Sequence, residues 1–312
     1  MAEHAIPGDS ASAPPDAPDI AGLEPLARLR RGWPAVLSII ISVAMVAGLV
    51  REMLRFGLDG LSVAAPDDWR FYLFFTFLYL NNPFGDFVIF RRLWGLPLGG
   101  GLAALLKKRI ANEVVLGYSG EVYFYLWARQ RASMVAAPFG AVKDVSILSA
   151  IAGNALSLVM LALALTVGAD LMTPSQYRTA AGSFAIVTAI SLPFLIFSKR
   201  VFSLPVERRW WIFGIHCLRI ISSFIFIAAA WHMALPAVSI SMWMFLAGAR
   251  LLSSRIPLAT NPDLLFANFA IILIGEGEAL SQLVAFTAAL TLVTHIVLTA
   301  GFGLDALIRS RR

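Results

Sequence analysis

The sequence predicts an all-α polytopic membrane protein with seven or eight transmembrane helices and two short re-entrant or broken segments. Three observations carry this. Of 312 residues, 59% are hydrophobic and mean hydropathy is +0.77. Charged residues make up only 14%, against about a quarter in an ordinary soluble domain. The apolar residues also run in long blocks rather than amphipathic stripes, with Lys and Arg gathered at the block ends.

Residues 1–27, rich in Ala, Pro, Asp and Ser, read as a disordered cytoplasmic tail, and 28–312 as a single transmembrane domain. The tail lacks the basic start and apolar core of a secretory signal. The first span is Pro34–Val50, whose seventeen uncharged residues rise about 26 Å as a helix. Arg28, Arg30 and Arg31 precede it and place the N-terminus in the cytoplasm. The second span starts at Trp69 and ends at Arg91 and Arg92; Pro83, within `NNPFGD`, predicts a kink that frees backbone groups. Asn81, Asn82 and Asp86 either satisfy those groups or line a polar pocket.

Gly95–Leu106 is too short to span and reads as an interfacial segment, held at the cytoplasmic face by Lys107, Lys108 and Arg109. The stretch `NEVVLGYSGEVYFYLWARQR`, Asn112–Arg131, follows. Basic residues flank it on both sides, which predicts a re-entrant element that turns at its glycines, the alternative being a solvated loop. Its Tyr118, Tyr123, Tyr125 and Trp127 read as an interfacial aromatic belt. Further spans are Val145–Ala169, Thr179–Ser198, Arg208–Trp231, Met233–Ala249 and Ala279–Leu304. Ile256–Gly275 is the second interrupted segment; if it crosses, the count is eight and the basic C-terminus `RSRR` falls inside. Glu276 and Glu278, in `GEGE`, read as solvated loop acids.

Several function classes lack support. A lone cysteine, Cys217, gives no disulfide framework. The excess of 25 basic over 19 acidic residues follows the block ends, so nucleic acid is not an expected partner. The four histidines are scattered, so no metal is predicted. No cofactor is expected either, since there is no phosphate-binding loop, and no nucleophile stands beside a spaced base.

The polar residues that remain inside apolar blocks are few. Arg219 lies ten residues after Arg209, about 15 Å along a helix and near mid-bilayer. A guanidinium there needs a partner or water. His216, three residues earlier, shares its helix face, and Ser222 and Ser223 follow. Such a set suits a lipid phosphate, which Arg grips as a bidentate fork; the alternative is a structural ion pair with Asp86, Glu113 or Glu121. Glu121 follows Gly117 and Gly120, which permit a tight turn and a close backbone approach. His295 lies deep in the last span, as a hydrogen-bonded core residue or a cavity-lining one.

From Pro34 to Leu307 the arrangement resembles the transmembrane, flippase-like domain of lysylphosphatidylglycerol synthases and its stand-alone relatives. That family carries a short motif of the kind N-x-x-(L/P)-x-G-E-x-x-R, which `NEVVLGYSGEVYFYLWAR` resembles through Asn112, Gly117, Gly120 and Glu121. A later motif of the kind I-P-x-x-P-G-G-x-G-x-x-E is resembled by `IPLATNPDLLFANFAI` through Ile256, Pro257 and Pro262. Here the arginine after Glu121 is replaced by an aromatic, Tyr123 or Phe124, the Pro-Gly-Gly by `PDLLF`, and the second glutamate by Asn268. An acid in the following span is replaced by Asn154, and an arginine in the last span by His295.

The resemblance implies an inner-membrane protein that binds and translocates a lipid or lipid-linked headgroup, anionic or phosphate-bearing, between leaflets. Asn112, Gly117, Gly120, Glu121, Asn154, His216, Arg219, Asn268 and His295 would then line the headgroup site. Lysyl transfer is not expected of these 312 residues, so a partner enzyme would supply any soluble catalytic domain. Two other classes stay open: a membrane-embedded prenyl-phosphate glycosyltransferase or its anchor, using Glu113 and Glu121, and a scaffold without cargo.

Overall fold

The computed structural model describes residues 65–115, 118–131, 138–167, 202–253 and 277–310, with isolated positions 40, 43, 47, 178, 182 and 189. Within them are seven helices: α1 Trp69–Trp94, α2 Leu98–Val114, α3 Ser119–Arg131, α4 Pro138–Val167, α5 Val206–Ala234, α6 Ile240–Ser253 and α7 Gly277–Ser310. Four helices are long and apolar enough to cross a membrane, over Trp69–Trp94, Phe139–Met160, Val206–Ala234 and Gln282–Ile308. The expected spans 34–50 and 179–198, the second interrupted segment 256–275 and the N-terminal tail lie outside the described residues.

Helix α1 begins where the Asp68 side chain accepts the Arg70 backbone N–H at 2.9 Å. The Arg70 side chain also clasps Asp68, and that hydrogen bonding holds the carboxyl below its usual range. The helix ends at Gly95, whose φ of 65° lets its N–H turn back to the Arg91 carbonyl at 2.8 Å. It packs antiparallel to α5, its most extensive partner. Two apolar cores flank this pair along its length. One joins Phe71, Phe75 and Tyr79 of α1 to Ile227 and Trp231 of α5, Trp243 and Leu246 of α6, and Leu283 and Phe286 of α7. The other joins Phe87, Ile89 and Phe90 to Leu105 of α2, Phe124 of α3, Val145 of α4 and Ile212 of α5. Between the cores, residues 79–86 of α1 face 216–223 of α5, midway along both helices.

That middle layer is polar. Asn81 Nδ2 donates to the Arg219 carbonyl at 2.7 Å and to Ser223 Oγ at 2.6 Å, and Asn81 Oδ1 accepts from Ser222 Oγ at 3.1 Å. With water excluded, such bonds fix the register of two apolar helices that lipid would otherwise leave free to slide. Gly85 makes the crossing close: a Cβ there would stand 2.9 Å from Arg219 Cδ.

Pro83 does not interrupt α1, which is helical throughout 69–94. Proline leaves the carbonyl four residues earlier, Tyr79, without its helical donor. Arg109 of α2 donates to that carbonyl through its guanidinium, which also lies 4.1 Å over the Tyr79 ring. The freed group is thus satisfied from another helix, and not by Asn81, Asn82 or Asp86 as the local sequence suggests.

The expected interfacial segment and the opening polar stretch fold together. Helices α2 and α3 form an antiparallel hairpin whose turn includes Val115 and Tyr118; Tyr118 takes φ 71°. Ser119 Oγ donates to the Ala111 carbonyl and the Gly120 N–H to Asn112 Oδ1, both at 2.7 Å. A Cβ on Gly120 would fall 2.0 Å from the Lys108 carbonyl oxygen, so only glycine lets the two arms meet. Of the expected aromatic belt, Tyr123 is buried, Tyr125 and Trp127 are half-buried, with Trp127 stacked on Phe124 at 5.8 Å, and Tyr118 is exposed.

Two other expectations change. The span proposed for Met233–Ala249 is instead the end of α5 and a separate fourteen-residue α6, divided at Leu235–Ser239. Met233 therefore belongs to the helix before the break. Gly277 and Glu278, expected in a loop, begin α7.

The hairpin contact yields a sharp expectation. Gly120→Ala should lower stability by about 1–3 kcal/mol, as overpacking does. Gly303→Ala, where a Cβ meets nothing within 4 Å, should leave it unchanged. Thermal unfolding of both variants in detergent tests this.

Candidate functional site

The polar layer encloses a cavity of about 300 Å³. Helix α1 contributes Asn82, Pro83 and Asp86 to its lining, and the hairpin contributes Lys108, Arg109, Asn112, Glu113, Tyr118 and Glu121. Helix α4 adds Ser146, Ser149 and Ala150, and α5 adds His216 and Arg219.

Asp86 is the centre of the charges. It is 7% exposed and takes the Lys108 ammonium at 2.6 Å on one oxygen and Arg219 at 3.4 Å on the other. Lys108, equally buried, also reaches Glu121 Oε1 at 3.3 Å. Arg219 donates to Ser149 Oγ at 2.8 Å. Helices α1, α2, α3, α4 and α5 thus meet through one chain: Glu121, Lys108, Asp86, Arg219, Ser149. A second, shorter chain lies beside it. Arg109 Nε holds Glu113 Oε1 at 2.7 Å, and His295 of α7 stands 3.3 Å from Glu113 Oε2, its ring 5.6 Å from that of Tyr79. Charges at this depth are costly unless paired, and the pairing is extensive.

His216 is fully buried and bridges to α4 through the Val145 carbonyl at 3.1 Å. A carbonyl only accepts, so Nε2 carries the proton and Nδ1 is left as an acceptor. Four buried polar atoms of the lining find no hydrogen-bond partner in the protein: Glu121 Oε2, Ser146 Oγ, His216 Nδ1 and Arg219 Nε. A clustered set of this kind departs from the usual satisfaction of buried polar groups.

Of the residues singled out in the sequence, Asn112, Glu121, His216 and Arg219 come together on the cavity wall. Gly120 stands behind them as the hairpin contact, and Asn112 both lines the cavity and caps that turn. His295 joins through Glu113. Asn154 lies on α4 one helical turn beyond Ala150, outside the lining. Gly117 and Asn268 lie outside the described residues. Among the alternatives for Arg219, the ion pair is with Asp86 rather than Glu113 or Glu121.

Sequence reasoning used Lys108 and Arg109 only as charges holding this segment at the cytoplasmic face, but both line the cavity. The signal was spacing: Lys108 and Asn112, and Arg109 and Glu113, stand four apart on one helix, so each pair shares a face. Ser146 and Ser149 carried no comparable signal. No group of three or more His, Cys, Asp or Glu suited to a metal occurs among the described residues.

Comparison with family models, with curated proteins and with solved structures finds no match to this chain, so none of them assigns it a family.

The Asp86–Lys108 pair should be strongly coupled. Lys108→Met should cost about 3–5 kcal/mol, because it strips a buried carboxylate of its closest partner. Adding Asp86→Asn to Lys108→Met should recover at least about 1 kcal/mol relative to additivity. A double-mutant cycle by equilibrium unfolding in detergent checks both figures.

Proposed function

We propose that this chain is a multi-pass inner-membrane protein, with its N-terminus in the cytoplasm, that binds a phospholipid by its headgroup and carries it between leaflets. The observation that carries the reading is the cavity itself. It lies midway along two apolar helices, holds six charged side chains besides His216, and four polar atoms of its lining residues have no partner in the protein. Ionisable groups at such depth mark a pathway for polar cargo more often than they stabilise a fold. The hairpin of α2 and α3 fits a re-entrant element, since Tyr118 of its turn and Glu121 of the first turn of α3 line the cavity.

The flanks of the cavity suit lipid tails. Leu73, Phe77, Leu80 and Phe84 are exposed along one stripe of α1, and Leu218, Ile221 and Ile225 along α5. A headgroup in the cavity could keep its acyl chains on these surfaces. Arg219, with Ser149 beside it, supplies the donors that phosphate oxygens need. The resemblance to the flippase-like domain of lysylphosphatidylglycerol synthases points the same way. The enzyme reading asks Glu113 and Glu121 to act as an acidic pair; each is engaged by a different cation, Arg109 and Lys108.

Reconstitution into vesicles with a fluorescent phospholipid tests the proposal. The protein should speed exchange between leaflets, and Ser149→Ala, a mild change at the Arg219 contact, should slow it by about tenfold, the worth of one charge-assisted hydrogen bond. Unfolding midpoints measured alongside separate lost transport from lost fold. If the intact protein leaves every tested phospholipid in its starting leaflet, translocation is wrong.

A further inference from the structure

Resting on that lipid reading, we infer that the cavity is built for a zwitterionic headgroup, with a phosphate at the Arg219 end and a primary ammonium at the Glu121 end. The first support is charge balance. The lining sets the carboxylates of Asp86, Glu113 and Glu121 against the cations of Lys108, Arg109 and Arg219. A headgroup of net charge, negative or positive, would be desolvated on entering a wall with no net opposite charge to offset it. Like charges brought together away from water repel strongly, so the balanced wall selects a ligand that is itself balanced.

The second support is the polarity of the uncommitted atoms. Arg219 spends one N–H on Asp86 and one on Ser149, while its Nε–H makes no bond in the protein. That end offers donors, and Ser146 Oγ adds another. Glu121 spends Oε1 on Lys108 and leaves Oε2 without a donor. That end offers an acceptor with a negative charge. The two ends are kept apart by the Lys108–Asp86 pair, which lies between them in the chain of contacts. A phosphate and an amine joined by a short linker present the matching order.

The third support is Tyr118. It is not glycine, yet it holds φ 71°, a backbone conformation that side-chain-bearing residues rarely adopt. This places it on the cavity wall three residues before Glu121. The Tyr118 ring and the Glu121 carboxylate belong to the same wall, where a ring would attract an ammonium and the carboxylate would bond it. Glu121 Oε2 asks for an N–H, which a primary ammonium has and a quaternary one lacks.

Native mass spectrometry provides the test. The intact protein would be offered an equimolar mixture of phosphatidylethanolamine, phosphatidylglycerol and phosphatidylcholine with identical tails, and separately soluble O-phosphoethanolamine. Phosphatidylethanolamine should be retained about tenfold over each of the others, the ratio one charge-assisted hydrogen bond supplies. Glu121→Gln should bring the ethanolamine-to-choline ratio close to one; the wild-type ratios stand by themselves if that variant fails to fold. Equal or stronger retention of phosphatidylglycerol overturns the zwitterionic assignment, and equal or stronger retention of phosphatidylcholine overturns the primary ammonium; either leaves the lipid reading in place. Retention of soluble phosphoethanolamine without phosphatidylethanolamine upholds the zwitterion and overturns its lipid source. Retention of none of these ligands overturns both.

Discussion

One buried carboxylate organises this molecule. Asp86 sits midway along α1 with Lys108 on one oxygen and Arg219 on the other, so it draws a hairpin and a long helix to the same point. In the middle of apolar helices none of the three groups is stable alone, since each would carry an unpaired charge out of water. Together they form a unit whose members must arrive together. The two aromatic-rich cores on either side then supply the bulk of the packing, and the charged layer decides how the helices are matched.

The same economy explains the cavity. Small and short residues gather where the polar layer needs room: Gly85 lets the Arg219 stem pass, Gly120 lets α3 meet α2, and Ser146 and Ser149 leave space on α4. Larger side chains at these places would close the gap and strand the charges. The polar layer and the space beside it are therefore one construction, and any polar ligand entering it would meet groups already held by neighbours. Such preorganisation lowers the cost of binding because little needs to be ordered on arrival.

Much of this was legible in the chain before folding. Long apolar blocks marked α1, α4, α5 and α7, since an apolar helix of that length has few other places to go. Arg219 and Glu121 stood out because charges inside or beside such blocks are costly. What escaped was the direction in which short polar segments face. Lys107, Lys108 and Arg109 read as one group holding the segment at the cytoplasmic face, yet Lys107 lies over the Phe302 ring while its two neighbours pair with α1. The hydrophobic pattern of α2 is too weak to announce a buried face, and only contact with α1 fixes it. Pro83 misled for a related reason: a local rule foretold a defect, and the remedy came from a residue far along the chain.

That remedy has a consequence of its own. The acceptor for Arg109 is a main-chain oxygen, exposed because position 83 has no hydrogen to give. The socket into which the hairpin plugs is thus encoded at 83 rather than at 79. The main-chain oxygen at 79 is there whatever side chain stands at that position, whereas any residue with a backbone N–H at 83 would let α1 reclaim its own carbonyl and compete with the hairpin for it. The proline works as a docking instruction written into the backbone.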